Sequence, residues 1–222
     1  MAFKGAVFDV DGVVIDTARI HHRSWQSALR KYGIKFTYRD FKSKVDGLPR
    51  AKGAKRILPG FSRKQIDKVF AEKQEYFLKY LSAGKIKVFS STVRLIKQLK
   101  KRNIRIAMAS SSRNAANSLK KAGLYSLFDV DAEGAYVKRG KPYPDIFIKA
   151  ARKLGLKPSE CVVFEDAQTG IQAAIAAGMK CVGIRREKIN PINGADLIVS
   201  DLKETNFNII ESLFKEQKNG KT

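Results

Sequence analysis

The segment "AVFDVDGVVIDT", residues 6–17, decides the fold, because an apolar stretch typical of a buried strand ends in two carboxylates. Asp9 and Asp11 are two positions apart, and side chains two apart in an extended chain point to the same side. Buried carboxylates are costly unless a cation compensates their charge. Gly12 then lets the backbone turn sharply. The segment therefore predicts a buried strand whose carboxyl end carries a cation-binding site.

Further apolar runs alternate with helical patterns along the chain. The predicted strands are residues 3–10, 104–110, 128–132, 161–165, 181–184 and 197–199. Between them, the segment "PDIFIKAARKLG" begins with Pro144 and ends at Gly155, which are good helix start and stop signals. Ser90 and Ser91 are candidate N-caps of another helix. Such alternation indicates an α/β fold, a parallel sheet with helices on both faces.

Residues 17–83 break this alternation, because they show only helical patterns. The segment is too long for a single crossover between two strands. We therefore predict an inserted all-α helical cap at residues 17–83 and a core formed by residues 1–16 and 84–222.

The charge balance raises a second hypothesis. The 222 residues are 44% hydrophobic and carry a formal net charge of +23. Such a charge attracts polyanions, so nucleic acid and small phosphorylated molecules are both possible partners. The basic residues are scattered over helical segments, and no zinc-finger spacing or ribonucleoprotein aromatic motif occurs. We expect a solvated basic surface and no specific nucleic-acid partner.

The two cysteines, Cys161 and Cys181, each begin an apolar strand, which is typical of reduced structural thiols. No signal peptide or apolar run of membrane-spanning length is apparent. We expect a cytoplasmic monomer with no membrane partner.

Polar residues follow four of the predicted strands. Asp9 and Asp11 lie at the end of the first strand. The later strands are followed by Ser110, Ser111, Ser112, Arg113, Asn114, Lys141, Glu165 and Asp166. Ligands of open parallel sheets bind beyond the carboxyl ends of the strands. The carboxylates suit a hard cation such as Mg²⁺, and Lys141 and Ser110 can hold phosphate oxygens. A carboxylate can attack phosphorus when a metal offsets the repulsion, while a second one moves protons.

These motifs make the chain similar to a known family. "DVDGVVIDT", Ser110, Lys141 and "EDAQTGIQAA" occur in the order of the haloacid dehalogenase superfamily of phosphohydrolases, and the chain most resembles its β-phosphoglucomutase-like branch. The resemblance implies a Rossmann-like core, with Asp9 as nucleophile, Asp11 as general acid/base, and Ser110 and Lys141 completing the catalytic set. The implied Mg²⁺ ligands are Asp9, Asp11 through its carbonyl, Glu165 and Asp166.

The cap extends the resemblance. The implied substrate-binding residues are His21, Gly47, Arg50, Lys73, Ser111, Ser112, Arg113 and Asn114. His21 is either a ligand of the cap site or a surface residue, His22 is expected to be exposed, and Trp25 is expected to pack within the cap. One position departs from the mutase pattern, because Asp46 stands where that pattern has a lysine.

Three functions remain open. The first is mutase-like phosphoryl transfer on a small sugar phosphate through an aspartyl-phosphate, and the second is a phosphatase of the same superfamily. The third is a nucleic-acid-binding protein on the same scaffold. Arg50 and the loop 112–114 favour a site that grips a second phosphate, whereas Asp46 opposes one.

Overall fold

The computed structural model describes residues 2–46, 50–132, 137–186 and 191–215, with only the backbone of Arg50 and Ala51. The strands of the described residues are β1 (Gly5–Phe8), β2 (Ile15–Asp16), β3 (Lys87–Val88), β4 (Arg105–Met108), β5 (Val130–Asp131), β6 (Cys161–Glu165), β7 (Lys180–Ile184) and β8 (Leu197–Val199). Six of them form one sheet in the order β5-β4-β1-β6-β7-β8. All of its pairs are parallel, as predicted.

Helices cover both faces of this sheet. The helices of the described residues are α1 (Ala18–Arg30), α2 (Tyr38–Lys44), α3 (Arg50–Ile57), α4 (Arg63–Ala83), α5 (Ser90–Lys100), α6 (Ala115–Lys121), α7 (Asp145–Leu154), α8 (Gln168–Ala176) and α9 (Phe207–Ser212). Successive residues of β1 point to opposite faces, so Phe8 packs with α5 and α9 while Val7 packs with α7 and α8. The predicted fold class is confirmed.

The segment between β2 and β3 forms a third hydrophobic cluster from the cap helices. Trp25, Leu29, Phe41 and Val69 are among its buried members. Trp25 meets Phe70 edge-on with 5.8 Å between the ring centroids, in agreement with its predicted packing role. At the base of the cap, the short strands β2 and β3 pair antiparallel. This pairing supports the proposed division into residues 17–83 and the remainder of the chain.

Two local expectations are wrong, the N-caps of helix α5 and the exposure of His22. Helix α5 begins at Ser90 itself, its N-cap position is Phe89, and no side chain there caps it. Ser90 and Ser91 therefore lie inside the first turn and are not caps.

His22 is not exposed, because its ring lies against Phe36, Tyr38 and Phe41 at centroid distances of 6.1, 5.4 and 6.2 Å. The aromatic cluster of the cap encloses this imidazole, a contact that helical periodicity alone does not reveal.

Among the helices in the described parts of the chain, none has the length and apolar character needed to span a bilayer.

Candidate active site

A buried triad lies where β1 and β6 end. The Lys141 Nζ donates to Asp9 Oδ1 at 2.5 Å and to Glu165 Oε2 at 2.6 Å. Asp9, Lys141 and Glu165 are only 7%, 7% and 2% exposed. The parallel register pairs Phe8 with Phe164, so the residues that follow them are neighbours at one edge of the sheet. The predicted convergence of Asp9, Lys141 and Glu165 is therefore observed.

Asp166 completes a cluster of carboxylates. Oxygens of Asp9, Glu165 and Asp166 lie within 4.8 Å of one another. The backbone of Gly12 lies close to this cluster, because a Cβ added at Gly12 would be only 1.9 Å from Asp166 Oδ2. Close carboxylate oxygens without sulfur or imidazole are the donor set that a hard divalent cation such as Mg²⁺ prefers. These residues fit the metal expected from the family resemblance.

Asp11 lies beside this cluster in a separate hydrogen-bonded position. The Thr17 hydroxyl donates to Asp11 Oδ1, and the Ser110 hydroxyl donates to Asp11 Oδ2 at 3.2 Å. The backbone N–H of Ser112 donates to Ser110 Oγ at 3.1 Å, which fixes that hydroxyl. Thr17 was not among the predicted site residues, although it ends the segment "AVFDVDGVVIDT" that carries both aspartates.

Burial shapes the electrostatics of the triad. Burial raises the pKa of Asp9 to about 8, with the Lys141 charge opposing this shift and those of Glu165 and Asp11 adding to it. Burial acts to lower the pKa of Lys141, but the charges of Asp9 and Glu165 outweigh it and hold that pKa above the usual value. Lys141 therefore remains an ammonium, and it donates to both Asp9 and Glu165.

The other two aspartates are perturbed in the same direction. Burial raises the pKa of Asp166 well above its usual value, and the neighbouring charges of Glu165 and Asp9 raise it further. Burial also raises the pKa of Asp11, against the hydrogen bonds from Thr17 and Ser110. Full ionisation of the cluster would create an excess of buried negative charge, which a bound dication would relieve.

The cap contributes a cation and an imidazole to the cleft. Lys73 Nζ lies 3.0 Å from His21 Nδ1, and the His21 ring lies 4.5 Å from the Phe77 ring. Burial, together with the Lys73 charge, lowers the pKa of His21 well below its usual value. The neutral imidazole therefore accepts a hydrogen bond from Lys73 through Nδ1. The positive charge of Lys73 acts on Asp11, so it faces the core.

Asn114 joins the core to the cap. Gln74 of α4 donates to Asn114 Oδ1 at 2.7 Å, and Asn114 Nδ2 donates to Gln74 Oε1 at 3.1 Å. Asn114 is buried, whereas Ser111 and Arg113 are exposed. The structure thus gives the Asn114 amide a partner in the cap, which the sequence did not indicate.

Asp46, which departs from the mutase pattern, lies within electrostatic range of the core carboxyl groups. Its carboxylate pairs with Lys42 Nζ at 2.5 Å, one helical turn earlier. Its charge contributes to the raised pKa values of Asp11 and Asp166, which places it near both. Two expected substrate-binding positions, Gly47 and the side chain of Arg50, lie outside the described residues.

Comparison with known proteins identifies the family. A model of haloacid dehalogenase-like hydrolases matches residues 3–178. The chain belongs to the haloacid dehalogenase-like hydrolases. This membership confirms the predicted family and its enzyme class, phosphotransferase or phosphatase.

Relatives within the haloacid dehalogenase-like hydrolases include both mutases and phosphatases. The chain is 33% identical over 221 residues to the β-phosphoglucomutase of Bacillus subtilis, covering 96% of each chain. It is 31% identical to a fructose-1-phosphate phosphatase of Escherichia coli, covering 82% of this chain and 97% of that protein. A crystal structure of β-phosphoglucomutase from Clostridium difficile superposes with a TM-score of 0.83 at 29% identity, covering 96% and 97% of the two chains.

Proposed function

We propose that this protein moves the phosphoryl group of a small sugar phosphate through an aspartyl-phosphate formed on Asp9, with Mg²⁺ as cofactor. The observation that carries the proposal is the buried Lys141, which bonds Asp9 and Glu165 at 2.5 and 2.6 Å beside Asp166. Relatives named as a β-phosphoglucomutase and a fructose-1-phosphate phosphatase support a sugar phosphate as substrate.

Asp9, Glu165 and Asp166 would hold the metal, with the Asp11 carbonyl as a further ligand. Mg²⁺ bound there supplies positive charge that reduces the repulsion between an attacking carboxylate and a phosphate. The Lys141 ammonium, which donates to Asp9 and Glu165, adds positive charge to the same site.

The residues of the chain divide the reaction between them. One Asp9 oxygen forms a bond to phosphorus while the bond from phosphorus to the sugar oxygen breaks, and its electron pair stays on that oxygen. Asp11, held by Thr17 and Ser110, gives this oxygen a proton. Asp11 then removes the proton of the next acceptor, which attacks the phosphorus and frees Asp9.

The acceptor decides between mutase and phosphatase. In the mutase-like reaction, which we propose first, a second sugar hydroxyl takes the phosphoryl group after the cap has excluded water. The hydrogen bonds between Gln74 and Asn114 favour this reaction, because they hold α4 of the cap against the core loop that follows β4. In a phosphatase, water takes the group. Asp46 favours this second candidate, because a carboxylate at the position where the mutase pattern has a lysine attracts a second phosphate less.

One experiment tests the proposal and separates the two candidates. The protein is incubated with Mg²⁺ and a panel of sugar phosphates, with and without a sugar bisphosphate primer, and free phosphate and isomerised product are assayed together. We expect turnover that a chelator abolishes. Full turnover in excess chelator would contradict the proposed function, and the ratio of the two products identifies the acceptor.

A further inference from the structure

Arg186 follows β7 at the same edge of the sheet as the catalytic residues, and the proposed mechanism leaves it without a role. Its Nε donates to the Gly12 carbonyl at 2.7 Å, and its Nη2 donates to the Val13 carbonyl at 3.3 Å. Its Nη1 pairs with Asp201 Oδ2 at 3.3 Å. The guanidinium therefore uses three nitrogens on three separate oxygens.

Two of these oxygens belong to the turn that directly follows Asp9 and Asp11. Gly12 has a φ of +88°, a conformation that L side chains rarely adopt. A Cβ added to Gly12 would collide with Asp166 Oδ2 at 1.9 Å. The peptide that Arg186 holds is thus in contact with a carboxylate of the candidate metal site.

Arg186 also contacts the point where the chain returns from the cap. The guanidinium carbon lies 3.5 Å from the centroid of the Phe89 ring, directly after β3. The Phe89 N–H donates to the Val14 carbonyl at 3.0 Å, and the Thr92 hydroxyl donates to the Val13 carbonyl at 2.7 Å. Arg186 therefore holds together the two chain segments that connect core and cap.

We infer that Arg186 is a positioning residue that fixes the turn at Gly12 and Val13, so that Asp9, Asp11 and Asp166 converge on one ligand. The planar guanidinium suits this task, because it donates in several fixed directions and stacks on a ring, whereas a lysine offers a point charge. The inference rests on the proposed function, since convergence matters only if these carboxylates share a metal and a phosphate.

The test compares Arg186→Ala and Arg186→Lys with a matched control, Arg185→Ala. Arg185 is the adjacent arginine, and its Nη2 donates to the Ile192 carbonyl at 3.3 Å. Mg²⁺ affinity is measured by isothermal titration calorimetry, folding by circular dichroism, and turnover with and without millimolar guanidinium. Charge-assisted hydrogen bonds of this kind correspond to about tenfold to a hundredfold in an equilibrium constant.

We expect Arg186→Ala to remain folded, to bind Mg²⁺ at least about tenfold more weakly, and to regain turnover when guanidinium is added. Arg186→Lys should fall between this variant and the wild type, and Arg185→Ala should match the wild type. A purely structural role predicts a lower melting temperature with unchanged Mg²⁺ affinity of the folded protein, and that result would overturn the inference.

If Arg186→Ala does not fold, the Arg186→Lys protein provides the test. The inference is overturned if Arg186→Lys has the Mg²⁺ affinity and the turnover of the wild type. Failure of the wild type to turn over any sugar phosphate would instead count against the proposed function. The calorimetric comparison would still test Arg186 in that case.

Discussion

At the scale of single residues, the proton on the Asp9 carboxyl competes with metal binding. Burial raises its pKa to about 8, so below that pH the metal-free protein keeps a proton on this carboxyl. Divalent cations bind the ionised carboxylate and must displace the proton. Mg²⁺ binding should therefore release protons at neutral pH.

The first prediction is that Mg²⁺ affinity rises as the pH increases towards about 8 and then levels off. Calorimetric titrations in buffers of different ionisation enthalpy measure the protons released. A Mg²⁺ affinity that does not change between slightly acidic and slightly alkaline pH would contradict this prediction.

The same shift has a consequence for stability without metal. A carboxyl whose pKa is higher in the folded than in the unfolded state stabilises the fold at low pH. This contribution is lost as the pH rises from the unfolded value near 3.8 through the folded value of about 8. The second prediction is that the Asp9→Asn protein, measured without metal, loses this pH dependence. Urea unfolding of both proteins across that range measures it, and identical profiles would contradict the prediction.

At the scale of elements, a pair of side-chain amides links helix α4 to the core. Gln74 and Asn114 exchange hydrogen bonds at 2.7 and 3.1 Å. The third prediction is that Gln74→Leu, which leaves the buried Asn114 amide without this partner, lowers the free energy of unfolding by about 1–3 kcal/mol. The exposed Gln172 of α8 provides the control, since Gln172→Leu should change that free energy by less than about 0.5 kcal/mol. Equal effects of the two substitutions in urea unfolding would contradict a cap–core role for this pair.

The loop after α2 carries the charge that separates the two candidate reactions. Asp46 pairs with Lys42, and its negative charge helps to raise the pKa values of Asp11 and Asp166. The fourth prediction is that Asp46→Lys tightens binding of sugar bisphosphates roughly tenfold or more and raises the ratio of isomerised product to free phosphate.

Asp67→Lys is the matched control for this substitution. Asp67 pairs with Arg63 over the same helical spacing, but its side chain is 60% exposed. Paired steady-state assays on β-glucose 1-phosphate with bisphosphate primer compare both variants with the wild type. Unchanged primer affinity in Asp46→Lys would show that Asp46 lies outside the substrate site.

At the scale of the whole molecule, the sequence predicted the sheet and its catalytic edge because both follow from local patterns. Four of the apolar runs are followed by polar residues, and parallel register brings such residues together, as for Asp9 and Glu165. Contacts between distant segments have no such local signal. Gln74 meets Asn114 across the boundary between cap and core, and Arg186 meets Gly12 because β7 lies two strands from β1 in the sheet. His22 was misjudged for the same reason, since its aromatic neighbours come from the loop after α1 and from α2.

The most direct test of the central claim is whether the phosphoryl group becomes attached to Asp9. A sugar phosphate labelled on its phosphate is mixed with the protein and Mg²⁺, the reaction is quenched in acid within its first turnover, and the labelled peptide is identified. We predict an acyl phosphate on the peptide that contains Asp9, sensitive to hydroxylamine and absent from Asp9→Asn, which should also lose turnover. Turnover by Asp9→Asn, or a label on another residue of the wild type, would contradict the account.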